Sequence, residues 1–200
     1  MTKIKICGLR SEEDISYVNE LRPDYVGFVF LKGRRRYISP GEAGRLRKQL
    51  EPSIQSVGVF VDEPVENVAA LLKEETIQLA QLHGQEDEAY AKELKRLCGK
   101  PVIKAFIIRT AADVEKALAF PADYLLLDHG MGTGEAFDWS LVKNIDRPFF
   151  LAGGLTPDNV QSAIADVSPY GVDVSSGVET DGRKDYQKIK AFIERAQKCS

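Results

Sequence analysis

Hydrophobic residues along this chain follow two periods, and the switch between them recurs from one end to the other. In the opening stretch, Lys3-Ile4-Lys5-Ile6-Cys7-Gly8, extended backbone puts Ile4 and Ile6 on one face and Lys5 and Cys7 on the other. This strand stops at a thiol and a glycine. Ser11, with Asp14 three residues on, then opens a helix whose inner face is Ile15, Val18 and Leu21, and Pro23 closes it. Tyr25 to Phe30 is a nearly continuous apolar run, the pattern of a strand covered on both faces. A basic loop follows, and Ser39-Pro40 caps and begins a helix carrying Ala43, Leu46 and Leu50.

The unit then repeats. Ser56 to Val61 reads as a third strand, and Pro64 opens a helix with Val68, Leu71 and Leu72 inward. Leu79 to Leu82 is a fourth strand ending at His83-Gly84, with Tyr90, Leu94 and Leu97 marking the helix behind it. Pro101 to Phe106 is the fifth, followed by a helix from Thr110 to Phe120. Tyr124 to Leu127 is the sixth and ends at Asp128; a glycine-rich loop and a short helix around Trp139 to Val142 come next. Phe149 to Ala152 is the seventh, ending in Gly153-Gly154, with a helix near Asn159 to Ala165. Val172 to Val174 is the eighth, ending in Ser175-Ser176-Gly177, and Tyr186 to Lys198 is the last helix. Strand signals at spacings of roughly 20 to 30 residues, with a helix in each gap, predict a (β/α)8 TIM barrel of the α/β class. An open doubly wound sheet is the alternative, but it needs a crossover point that the sequence does not mark. No composition shift or Gly/Ser linker divides residues 1–200, so the expectation is a single barrel domain.

Composition narrows the setting. A chain of 200 residues with 44% hydrophobic content is long enough to stand without disulfides. Its cysteines, Cys7, Cys98 and Cys199, match no disulfide or metal spacing and are expected to be free thiols in a reducing cytoplasm. The lack of a signal-like apolar run or a long apolar stretch points the same way, to a cytoplasmic protein with no membrane partner. A net charge of −3 argues against a general attraction to nucleic acid. Against that balance Lys32-Gly33-Arg34-Arg35-Arg36 is the one basic cluster, read either as a solvated loop or as local recognition of a small anion.

Barrel geometry turns scattered residues into one rim, because whatever follows the carboxyl end of a strand lies on the catalytic face. That rim comprises Cys7, Lys32 to Arg36, Asp62, His83, Asp128, Gly153-Gly154 and Ser175-Ser176-Gly177. Taken alone, Cys7 is also readable as a small buried apolar residue. The seventh and eighth loops are where barrels of this type bind phosphate, through glycine N–H groups and the N-terminus of a short helix after Ser176-Gly177. The bland reading of Gly153-Gly154 is a tight turn. Asp173 either faces the pocket or is a hydrogen-bonded structural carboxylate. Gly130-Met131-Gly132-Thr133-Gly134 departs from a dinucleotide fingerprint at Glu135 and reads better as a mobile lid, with His129 a loop residue and not a metal ligand.

Taken in order, several segments resemble the phosphoribosylanthranilate isomerase family: Lys5-Ile6-Cys7-Gly8; Gly27-Phe28-Val29-Phe30 running to Arg36-Tyr37-Ile38-Ser39; Val57-Gly58-Val59-Phe60; Gln81-Leu82-His83-Gly84; Leu126-Leu127-Asp128; Gly132-Thr133-Gly134 with Phe137-Asp138-Trp139; Ala152-Gly153-Gly154-Leu155 with Asn159-Val160; and Asp173 to Glu179. Arg34 and Ala152 stand where many members carry Ser. The resemblance implies an Amadori rearrangement in tryptophan synthesis with no cofactor and no metal, acting on a small phosphorylated substrate. It implies Asp128 as general acid, Cys7 as general base, Arg36 on the anthranilate carboxylate, His83 and Asp173 lining the pocket, and Gly153, Gly154, Ser175, Ser176 and Gly177 at the phosphate. Such a thiol needs help from nearby cationic or dipolar groups to ionise, whereas Asp128 needs to keep its proton. A monomer or weak homodimer is expected. Indole-glycerol-phosphate synthases and pentose-phosphate epimerases are the competing barrel enzymes, but they imply a Lys and Glu pair or metal ligands that the rim does not offer. A non-catalytic phosphosugar sensor is the third reading.

Overall fold

The computed structural model describes residues 1–128 and 139–198, so His129, the proposed lid Gly130 to Gly134, Phe137, Asp138 and Cys199 lie outside the described residues. Strands β1 (Lys3–Cys7), β2 (Tyr25–Val29), β3 (Gln55–Phe60), β4 (Leu79–Leu82), β5 (Val102–Ile107), β6 (Tyr124–Asp128), β7 (Phe149–Ala152) and β8 (Gly171–Val174) pair in parallel in chain order. The barrel closes where β8 returns to β1, with Ile4 opposite Val172 and Lys5 opposite Asp173. Around it lie helices α1 (Glu12–Leu21), α2 (Pro40–Arg47), α3 (Val65–Lys73), α4 (Glu88–Cys98), α5 (Ala111–Ala119), α6 (Val160–Val167) and α7 (Tyr186–Gln197). No described helix is long and apolar enough to cross a membrane.

Helix starts follow their capping residues. The Ser11 hydroxyl accepts from the Asp14 backbone N–H (3.1 Å) and the Asp14 carboxylate accepts from Ser11 N–H (3.2 Å), a reciprocal box that Thr110 and Asp113 repeat at α5. Ser39 caps α2 ahead of Pro40. Two expected helices change character. Trp139–Val142 is a 3₁₀ turn, and so is Ser176–Val178, which therefore carries only a short terminal dipole. Helix α2 stops at Arg47, short of Leu50, although Leu50 is buried all the same. After β8 the sequence pattern gave no hint of a hairpin of two-residue strands, β9 (Glu179–Thr180) and β10 (Arg183–Lys184).

Strand alternation divides the apolar residues into two shells. Ile4, Ile6, Val26, Phe28, Leu125, Leu127, Val172 and Val174 point outward and pack against the helices. Tyr25, Val57, Leu79, Ile103, Leu126 and Phe150 point inward, and edge-to-face contacts of Phe150 with Tyr25, Tyr124 and Tyr170 fill the amino-terminal end of the barrel. That aromatic floor leaves the carboxyl end for polar groups.

Candidate active site

The parity that sends Ile4 and Ile6 outward sends Lys5 and Cys7 inward. Gln81 and His83 continue the inward face of Leu79, Asp128 that of Leu126, and Asp173 and Ser175 that of Gly171. Five expected site residues, Cys7, His83, Asp128, Asp173 and Ser175, thus arrive from four strand ends at the mouth of one barrel. Gly27, opposite Cys7 in β2, makes room for the thiol: a Cβ there would lie 2.6 Å from Cys7 Sγ.

Around the thiol is a set of charges that sequence reasoning missed in part. Lys5 is fully buried and donates to Asp173 Oδ1 at 2.8 Å across the β1–β8 seam. Lys184, from β10, is buried as well and donates to the Ser175 carbonyl (2.9 Å) and Glu179 Oε1 (3.0 Å). Ser175 Oγ in turn donates to the Cys7 carbonyl at 3.0 Å. Burial pushes the Cys7 thiol up, and the Asp173 carboxylate adds to it, while Lys5 and Lys184 pull it down; the net shift is upward. The expected cationic help is therefore present but outweighed by burial of the thiol. The signal for Lys5 lay in its shared face with Cys7. For Lys184 the sequence offers none, since its strand is two residues long.

His83 is held by Gln81, whose amide nitrogen lies 3.0 Å from Nδ1. Burial lowers the His83 pKa, although the nearby Asp128 and Asp173 carboxylates oppose it. The net shift is downward and favours the neutral imidazole.

Arg36 is not a free cation. Its Nε and Nη2 grip Glu179 Oε1 and Oε2 at 2.7 and 2.9 Å, and Arg35 reaches the same carboxylate. Burial raises the Glu179 carboxyl, but Arg36 and Lys184 outweigh it and hold it at about 2. A depressed carboxyl stabilises the fold above its unfolded value of about 4.3, and the benefit is lost as pH falls from there toward 2. Thermal melts between pH 6 and pH 3 should therefore fall less steeply in Glu179→Gln than in the parent; parallel slopes would contradict this.

Other rim residues do structural work. Asp62, at φ 51°, accepts from Gln85 N–H (2.6 Å) and ties the third loop to the fourth. Glu86 accepts from Asp62 N–H and Gly84 N–H at 2.8 and 2.9 Å and pairs with buried Lys104 at 2.8 Å. Lys32, Gly33, Arg34 and Arg35 are exposed. At the seventh loop Gly153 and Gly154 take positive φ, 88° and 68°, and Asn159 Nδ2 donates to the Gly154 carbonyl (3.0 Å). Cys98, like Cys7, is unbridged.

A closed parallel barrel whose carboxyl-end mouth gathers a buried thiol, a histidine, carboxylates and buried lysines defines a (β/α)8-barrel enzyme with a charged pocket. The family model for N-(5'phosphoribosyl)anthranilate (PRA) isomerase matches residues 4–195. The chain is 49% identical over 195 residues to the N-(5'-phosphoribosyl)anthranilate isomerase of Endomicrobium trichonymphae, covering 94% of this chain and 95% of the relative. It is 40% identical to the phosphoribosyl anthranilate isomerase of Thermotoga maritima, with a TM-score of 0.91 over 99% of this chain and all of that one. A phosphoribosyl anthranilate isomerase in complex with reduced 1-(o-carboxyphenylamino)-1-deoxyribulose 5-phosphate superposes with a TM-score of 0.89 at the same identity, covering 99% of this chain and 100% of that one. The chain belongs to the N-(5'-phosphoribosyl)anthranilate isomerase family, a family of enzymes.

Proposed function

We propose that the barrel mouth converts N-(5'-phosphoribosyl)anthranilate into 1-(2-carboxyphenylamino)-1-deoxyribulose 5-phosphate, with Asp128 as general acid and Cys7 as general base. Asp128 protonates the furanose ring oxygen as the bond from that oxygen to C1' breaks, giving a Schiff base between C1' and the anthranilate nitrogen. Cys7 then removes the C2' proton, the C2'–H electrons form an enolamine, and tautomerisation delivers the 2'-ketone. Protonation of the ring oxygen, removal of the C2' proton and, in the final tautomerisation, transfer of a proton equivalent from the enol hydroxyl to C1' are all proton transfers, the kind of step that positioned side chains catalyse. The observation that carries this reading is the alternation that faces Cys7 and Asp128 into one mouth from β1 and β6.

The remaining groups have matching tasks. His83 and Asp173 line the sugar, Arg36 pairs with the anthranilate carboxylate, and Gly153, Gly154, Ser175, Ser176 and Gly177 hold the phosphate. The iminium charge that forms on ring opening would favour the thiolate, offsetting the effect of burial on Cys7. Reducing conditions of a cytoplasm suit a mechanism that depends on a free thiol.

Mixing the purified protein with freshly prepared N-(5'-phosphoribosyl)anthranilate should cause its fluorescence to disappear faster than in a buffer blank. Product of the expected mass should accumulate. A trace that follows the blank would overturn the reading.

A further inference from the structure

Arg36 approaches the substrate region already engaged. Glu179 takes its Nε/Nη2 edge in two parallel hydrogen bonds of 2.7 and 2.9 Å, and its side chain is only 5% exposed. A fork gripped this way is fixed in its plane, and its Nη1 side is not engaged by Glu179. The arginine stem is confined as well. It crosses Gly8, which has φ +86°, so closely that a Cβ there would lie 2.5 Å from Arg36 Cδ. From Glu179 the contacts continue through Lys184 Nζ to the Ser175 carbonyl, and Ser175 Oγ closes on the Cys7 carbonyl. The basic loop after β2 is thereby tied to the end of β1 by residues that follow β8.

We propose that Glu179 is a positioning residue that fixes the guanidinium plane of Arg36 so that its open Nη1 side receives the substrate's aromatic carboxylate in register with Cys7. The inference rests on the reading of Arg36 as the carboxylate's partner. Without Glu179 the arginine keeps its charge but loses its preset plane, and the cost of ordering it falls on substrate binding. Glu179 itself touches no reacting atom.

A pair of substrates separates this role from a merely structural one: N-(5'-phosphoribosyl)anthranilate and N-(5'-phosphoribosyl)aniline, which lacks the carboxylate. Glu179→Gln should raise KM for the first roughly 10- to 100-fold, the range of a charge-assisted contact, with kcat within about three-fold. For the aniline compound the same variant should stay within about two-fold of the parent in KM. Equal losses with both compounds, or no loss with the anthranilate compound, would overturn the proposal. Should Glu179→Gln fail to fold by circular dichroism, Glu179→Asp serves: it keeps a charge for Lys184 but draws the carboxylate back from Arg36, and the same selective rise in KM is expected. In an Arg36→Ala background, adding Glu179→Gln should change KM no further, since the two act as one unit. If Arg36→Ala alone left KM for the anthranilate compound unchanged, the carboxylate assignment would fall; if it raised KM while Glu179→Gln did not, only the positioning role would.

Discussion

Replacing Cys7 with alanine is expected to lower kcat for N-(5'-phosphoribosyl)anthranilate by roughly 10²- to 10⁴-fold, the usual contribution of a positioned base, while KM stays within a few-fold. Asp128→Asn should fall in the same range. Both groups move protons in the transition state and contribute little to holding the ground state, so the loss belongs in kcat. The pH profile supplies an independent check. A base must be deprotonated to act, and burial has moved the Cys7 thiol upward, so kcat/KM should still be climbing at pH values above about 8.5, where an unperturbed thiol is half ionised. A profile whose acid limb ends near pH 6 would assign the base to another group. Near-normal turnover in Cys7→Ala would do the same more directly.

Much of this was legible in the chain because strand alternation is strict. Ile4 and Ile6 against Lys5 and Cys7 is a two-residue pattern, and once the barrel closes it decides which side chains meet. Asp128 and His83 were found by the same rule, as polar residues terminating apolar runs. What stayed hidden depends on distance along the chain. Lys5 and Asp173 are 168 residues apart, and a lysine in a short strand reads as a solvent-facing residue until its partner is known. Arg36 and Glu179 are 143 apart, so the sequence showed a basic loop but not the carboxylate that occupies it. The β9–β10 hairpin has strands too short for any period. The direction of the Cys7 shift was missed for a related reason: nearby lysines were foreseeable in kind, but the burial that outweighs them is a property of the closed barrel.

The Lys5–Asp173 pair leads to the largest expected effect on stability. Lys5→Met fills a similar volume and removes the only charge that Asp173 is shown to pair with among the described residues, leaving a carboxylate that is 10% exposed beside a buried thiol. Breaking one side of a buried pair costs about 3–5 kcal/mol, because the surviving ion keeps its desolvation penalty without its attraction. For a chain of this size each kcal/mol is worth about 2–4 °C, so the melting temperature should drop by roughly 6–20 °C at neutral pH. The double variant Lys5→Met/Asp173→Asn, which removes both charges and leaves a neutral pair of similar volume, should recover part of the loss. If Lys5→Met melted within about 2 °C of the parent, the barrel seam would not depend on the Lys5–Asp173 ion pair, and the stability argument would fail. The two effects are coupled through one electrostatic environment. Removing Lys5 also takes away the cation that most opposes burial at Cys7, so the acid limb of kcat/KM should move further upward in the same variant that loses stability.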